Sequence, residues 1–417
     1  MTILSPPTGK RAGAVQGWTL TSVNWLAVIA TVVLSPVLPK ITQHFRSDPH
    51  VDFLISLVAT LPALFVAICA WPAGLLADRI GRRRVLLFGV GVYGFVGCAP
   101  MALNSLLGIV ITRAGVGITE SIIMVCTTAL VADYFPVSQR ESWLAIQSGG
   151  GGVIAIIMVA AGGLLGQSGW RLPFLMYGAA FVLFPLCLFG TWEQIMPEGS
   201  HEGSPKANAG TLFHRPSFHA QPAAERYNWA PLAWICILGF LASSSFYVML
   251  VQFSFILTER GVTDQKTIGF QTALAVLFML LGSGLFKLMR LPVVGKLTVS
   301  FTLSAVGFFV MALSRGLLFT DIGAAINGLG SGIVLPCLLT WALSKLSPAV
   351  RARGSGLWQM AWFLGQFASP LSILLFRDLT GSRSSAILIY AIGSSIGAAV
   401  ALVAYFQGGA QPLLEAE

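Results

Sequence analysis

Charge is scarce in this chain. Only 10% of its 417 residues are Asp, Glu, Lys or Arg, against 55% that are apolar. Soluble globular domains carry about 25% charged residues. So little charge does not cover a water-soluble fold of this length, and this much apolar sequence excludes a disordered one. The net charge of +9 does not make a nucleic-acid module, because the basic residues sit in short segments between apolar runs. No two of Cys69, Cys98, Cys126, Cys187, Cys236 and Cys337 form a Cys-x-x-Cys pair, and all six lie inside apolar runs. That excludes a zinc site or disulfide framework and leaves them as packing residues. The glycines at 149–152 are followed by no Gly-Lys-Ser/Thr, so there is no phosphate loop and no ATPase domain. Gly89-Val-Gly91-Val-Tyr-Gly94 fits a dinucleotide fingerprint, but it lies inside an apolar run with no strand before it, where small residues serve helix packing. With no legible nucleophile–base pair, the expectation is no enzyme, no cofactor and no metal.

Long apolar runs are what the chain does have. Twelve are long enough to span a bilayer: residues 18–42, 52–77, 83–103, 106–134, 139–166, 172–192, 229–257, 266–288, 293–313, 316–345, 353–376 and 384–406. In lipid each must satisfy its own backbone, so the fold class is all-α integral membrane with twelve transmembrane helices. The first run is long enough to span and is followed by others, so a cleavable signal peptide is not expected. Residues 193–228 form the longest polar stretch, with Pro197, Pro205, Pro216, Pro222, His201, His214 and His219. That composition suits a connector between an N-terminal six-helix bundle, 1–192, and a C-terminal one, 229–417. The side holding both termini carries sixteen Lys and Arg and the other side eight, which places the termini and the connector in the cytoplasm.

The halves also echo each other. At an offset of 212 residues Pro136 falls on Pro348, Arg171 on Arg383 and Arg84 on Lys296. The turns at 134–140 and 345–351 read alike, which favours two pseudo-symmetric parallel halves.

The strongest local signal is Gly74-Leu-Leu-Ala-Asp78-Arg79-Ile-Gly81-Arg82-Arg83-Arg84, between the second and third spans. Its glycines permit a tight turn, and Asp78 stands at a helix boundary where it meets an arginine or a helix N-terminus. The pattern resembles the signature loop of the major facilitator superfamily. Arg113-Ala-Gly-Val-Gly117, Asp133-Tyr-Phe-Pro136 and Trp170-Arg171-x-x-Phe174 are similar to further elements of that family. The resemblance implies a secondary transporter with a central cavity that opens alternately to either face. It also implies a gating latch built from Gly74, Asp78, Arg79, Gly81, Arg82 and Asp133. The second-half counterpart, from Gly284 to Lys296, keeps positive charge but lacks the acid, so the latch is expected to be asymmetric.

Charge within a span is costly and usually functional. Arg113 and Glu120 lie seven residues apart on one face of the fourth span, roughly 10 Å along the axis at 1.5 Å per residue. That is too far for a direct bond. For Glu120 two readings are open: a proton-coupling or substrate site, or a static polar contact. Arg113 has a structural alternative, capping carbonyls or bonding a neighbouring helix. Asp321, early in the tenth span, is a third coupling candidate that has Arg315 available as a simple ion-pair partner. Asn24, Trp25, Thr31, Gln147, Tyr247, Gln252, Asn327, Trp358, Gln359 and Trp362 are candidate cavity-lining residues, with interhelical hydrogen bonding the alternative for each. The resemblance favours Asn24, Tyr247 and Asn327, because spans one, four, seven and ten line the cavity in the family.

Direction is weakly marked. The fifth span keeps Gly162-Gly163 of the glycine–proline motif found in proton antiporters of the superfamily, but has Ile154, Met158 and Val159 at its earlier positions. The apolar, aromatic-rich spans suit an amphipathic solute. The expected function is therefore proton-coupled export of a small organic compound, working as a monomer in a bacterial inner membrane, with lipid, protons and the solute as partners. The alternatives are an uptake symporter for an organic anion or sugar-like solute, and a non-transporting membrane receptor or scaffold.

Overall fold

The computed structural model describes residues 12–193, 229–346 and 350–407, so the histidines and prolines of the connector lie outside the described residues. Among the described residues, twelve helices are long and apolar enough to cross a membrane: α1 (Ala14–His44), α2 (Val51–Ile80), α3 (Arg82–Met101), α4 (Leu106–Tyr134), α5 (Ser138–Ser168), α6 (Leu172–Gly190), α7 (Ala230–Glu259), α8 (Gln265–Leu288), α9 (Val293–Leu313), α10 (Leu317–Ser344), α11 (Arg353–Thr380) and α12 (Arg383–Phe406). No strand occurs among the described residues. Large side chains such as Trp71, Phe189 and Phe406 point outward, as a lipid-facing surface requires.

The first span is present but is broken along its length. The first span runs as Ala14–Asn24, Leu26–Val32, a tight turn at Ser35–Val37 and Leu38–His44. Pro36 and Pro39 cannot donate to the helical ladder, and its bonds lapse between Val33 N–H to Ile29 and Val37 N–H to Leu34. The start of α6, Leu172–Gly178, is likewise tightened into a 3₁₀ turn with Pro173 at its head.

Helix pairing repeats when the numbering is advanced by six. The pairs α2–α4, α3–α4 and α3–α6 are matched by α8–α10, α9–α10 and α9–α12. The same operation maps the two main crossings between halves, α2–α11 and α5–α8, onto each other. At the second crossing Gly163 meets Gly269, where a Cβ on Gly163 would lie 2.5 Å from the Gly269 Cα. Only glycine permits that approach. The first half's apolar core continues into α7 and α8 through Tyr247, Leu250, Val251, Ala273 and Val276.

Candidate functional site

The break in α1 creates the site's first requirement. Where the ladder lapses, the carbonyls of Ala30 and Thr31 need donors from elsewhere. Arg113 of α4 supplies one. It is 1% exposed. Its Nη2 donates to the Ala30 carbonyl at 2.7 Å, its Nε to the Val58 carbonyl of α2 at 2.9 Å and its Nη1 to the Tyr177 hydroxyl of α6 at 2.6 Å. The guanidinium therefore ties four spans together through charge-assisted bonds. Tyr93 of α3 donates to the Leu26 carbonyl at 2.6 Å, and its ring packs 5.6 Å from that of Tyr177. Neither Tyr93 nor Tyr177 is a residue the sequence singled out. Their polar-tipped rings inside apolar spans are the signal that could have found them.

Glu120 lies two turns from Arg113 at the middle of α4. It is 3% exposed, and its Oε2 has no hydrogen-bond partner. A buried carboxylate with a vacant oxygen is costly if charged. The phenols of Tyr93, Tyr177 and Tyr247 and the Arg113 guanidinium lie within electrostatic range of it. Such a group can hold a proton or accept a hydrogen bond from a solute.

The other candidates divide. Asn24 accepts from Thr127 at 3.0 Å, joining α1 to α4. The Trp25 indole donates to the Gln147 carbonyl of α5 at 2.9 Å, while the buried Gln147 amide nitrogen has no partner. Thr31 turns its hydroxyl back onto the Ala27 carbonyl, and its own carbonyl accepts from Tyr247 of α7 at 3.4 Å. Trp358 and Trp362 stack at 5.7 Å with the Trp358 N–H unpartnered, and Gln359 beside them is exposed. Gln252 lies toward the face away from the termini, where it accepts from Arg383.

Asn327, expected on a cavity, points instead at α9. It is wholly buried, donates to the Ser304 carbonyl at 3.2 Å and accepts from Ser331 at 3.3 Å. The reason is the close approach of α9 and α10 at Gly307, where a Cβ would meet Asn327. Asp321 accepts from Gln271 of α8 at 3.0 Å rather than from Arg315. The nearby Arg260 is turned onto the Met311 carbonyl and the Ser314 hydroxyl, and burial draws its pKa below the ordinary arginine value.

Of the residues expected to form a latch, Asp78, Arg82 and Asp133 come together within the first half. Arg82 bonds Asp133 at 2.6 Å and Asp78 at 3.2 Å. Gly81 turns the chain at φ +112°, a conformation that L side chains avoid, whereas Gly74 sits within α2 and Arg79 is exposed. Glu193, which the sequence reading did not single out, caps this turn by accepting from the Arg83 N–H at 3.1 Å. On the opposite face, also unforeseen, Arg377 of α11 bonds Asp52 of α2 at 2.9 Å, and Arg383 bonds Glu259 at 2.8 Å.

Among the described residues, polar bonds between the halves run from mid-span toward the face away from the termini. They join Thr31 to Tyr247, Ser35 to Leu250 and Ser254, Thr60 to Phe367, and Asp52 to Arg377. These bonds hold the halves together toward that face.

The sequence matches the Major Facilitator Superfamily over residues 20–370. It is 27% identical over 266 residues to the class H tetracycline resistance protein of Pasteurella multocida, covering 61% of each chain. It is also 27% identical over 169 residues to a protein named probable sugar efflux transporter from Helicobacter acinonychis, covering 40% of this chain and 41% of that one. The chain thus spans about 61% and 41% of the lengths of these relatives. The fold is similar to that of a bacterial homologue of the human lysosomal transporter Spinster, solved inward-facing and unoccupied. The TM-score is 0.74 at 17% identity, over 95% of this chain and 98% of that one.

Proposed function

The chain belongs to the Major Facilitator Superfamily, and from that premise we propose that this membrane transporter exports a small amphipathic organic solute in exchange for protons. The observation that carries the reading is Glu120, a carboxylate buried at mid-span with a vacant oxygen. Gaining a proton removes the cost of its buried charge, and losing the proton restores it. Any conformation that opens Glu120 to water is therefore favoured when it is charged, and one that encloses it when it is neutral. That differential is what shifts a two-state equilibrium. Arg113 serves here as scaffold, since its donors are spent on Val58, Ala30 and Tyr177.

The halves, 1–192 and 229–417, rock about the midplane and are joined by a cytoplasmic connector, 193–228. Both termini are cytoplasmic in a bacterial inner membrane, and one chain works alone. With that orientation the face where the halves are bonded together is the outer one, which supports an inward-facing state. The resistance and efflux in the relatives' names support export.

The test is reconstitution in vesicles with an imposed pH gradient and a panel of labelled amphipathic amines, carboxylates and sugars. Export predicts at least one solute driven opposite to the proton gradient, with that flux at least tenfold lower in Glu120→Gln. Unchanged flux in Glu120→Gln overturns the coupling assignment, and a solute carried in the same direction as protons replaces exchange with symport.

A further inference from the structure

If Glu120 is the proton site, its state must be felt by the second half, and a single contact is placed to carry it. Resting on the coupling reading above, we infer that Tyr247 is a positioning residue that reports the charge of Glu120 to the second half. It does so by exchanging its hydrogen bond between the Thr31 carbonyl and the Glu120 carboxylate.

The groups around Glu120 differ in how firmly they are held. Within electrostatic range of it are Arg113 on its own helix, Tyr93 of α3, Tyr177 of α6 and Tyr247 of α7. Each of the three guanidinium nitrogens of Arg113 makes one bond, at 2.6–2.9 Å. The Tyr93 hydroxyl is committed to the Leu26 carbonyl at 2.6 Å, and the Tyr177 hydroxyl is pinned by accepting from Arg113 at 2.6 Å while it donates to the Ala30 carbonyl at 3.4 Å. Tyr247 is different. It is 2% exposed, and its hydroxyl reaches the Thr31 carbonyl at 3.4 Å, at the weak end of the hydrogen-bond range. It is also the one phenol of the three that belongs to the second half.

A buried phenol takes the best acceptor within reach. An ionised carboxylate is a stronger acceptor than a peptide carbonyl, and a protonated one is not. Loss of the proton from Glu120 therefore draws the Tyr247 hydroxyl away from α1. Regain of the proton returns it to Thr31 and restores the bond between the halves. The break in α1 lies at the Thr31 end of this exchange. A cavity lies beside it, lined by Ala30, Thr31 and Ser35 of α1 together with Arg113 and Val251. The Thr31 carbonyl, free of the helical ladder, can lose one donor without disrupting a helix.

The experiment needs no transported solute. Spin labels at Gln139→Cys and Ser344→Cys, on the terminal face of opposite halves, are introduced in the full chain with its native cysteines replaced by serine. The distribution of distances between them is measured in lipid from pH 5.5 to 9. The unmodified site should redistribute with pH, and Glu120→Gln should abolish the response. Tyr247→Phe keeps the ring and its packing, and should retain both distance populations while shrinking their pH-dependent change at least threefold. An intact response in Glu120→Gln overturns the coupling reading itself. A response lost in Glu120→Gln but intact in Tyr247→Phe overturns the present inference alone. A second readout covers a Tyr247→Phe chain that does not fold. Infrared difference spectra between low and high pH, with ring-labelled tyrosine, should show a phenol changing hydrogen-bond partner in the otherwise native protein and not in Glu120→Gln. A native protein without that signal also overturns the inference.

Discussion

The two six-helix halves share a pairing scheme but not a chemistry. At the 212-residue offset, Arg113 and Glu120 of α4 correspond to Ala325 and Gly332 of α10. Gly332 is packed so closely on the Met279 backbone that no side chain fits there. Asp78 and Asp133, the acids of the first-half latch, correspond to Arg290 and Lys345. At these positions one half holds buried charge against backbone carbonyls, and the other is filled with small-residue packing. A duplicated scaffold needs only one half to carry the titrating group, provided the other half is touched by it.

The largest expected effect tests that asymmetry directly. Arg113→Ala removes three charge-assisted bonds and leaves the Ala30 carbonyl and the Tyr177 hydroxyl without a principal partner. A loss on the order of 3–5 kcal/mol is expected, as for breaking a buried ionic contact. Asn327→Ala, at a wholly buried polar residue of α10, gives up bonds of 3.2 and 3.3 Å and should cost only about 1 kcal/mol. Reversible unfolding of the two variants in the same bilayer measures the difference, and equal losses would dissolve the contrast between the halves.

How much of this was legible beforehand depended on the length scale. Spans are set by some twenty residues of composition, so all twelve were visible, and the loop from Gly74 to Arg84 announced itself by its spacing. The break in α1 was not read, although Pro36 and Pro39 stood in view, because prolines in membrane helices are often absorbed without a break, as Pro62 and Pro72 are in α2. Once α1 is broken, one partner of Arg113 follows from the orphaned Ala30 carbonyl, yet that α2 and α6 supply the others is a tertiary fact. Asn327 was misplaced for the same reason. Its span was placed correctly, but the face it presents is decided by how closely Gly307 lets α9 approach.

The two crossings between halves offer a finer comparison, since symmetry relates them and their contacts differ. At α5–α8 the contact is backbone on backbone, Gly163 against Gly269. Gly163→Ala must push the helices apart, with an expected cost of about 1–3 kcal/mol. That loss should be indifferent to ionic strength. A salt-dependent loss would mean that charge, rather than shape, governs this crossing.

At α2–α11 the far end is closed by Asp52 and Arg377, at 2.9 Å with side chains 46% and 28% exposed. An ion pair so open to water contributes less than about 1 kcal/mol to folding, and salt screens it. Its effect on the balance between states is larger in proportion, because it exists only while this face is shut. Asp52→Asn should therefore leave unfolding nearly unchanged while enriching the conformation open on this face, read as a shorter distance between labels at Gln139→Cys and Ser344→Cys. High salt should move the native protein in the same direction. Exchanging the charges, Asp52→Arg with Arg377→Asp, should bring the native distribution back. If the exchanged pair behaves like Asp52→Asn, the ion pair is an accident of proximity and closure rests on the glycine crossing alone.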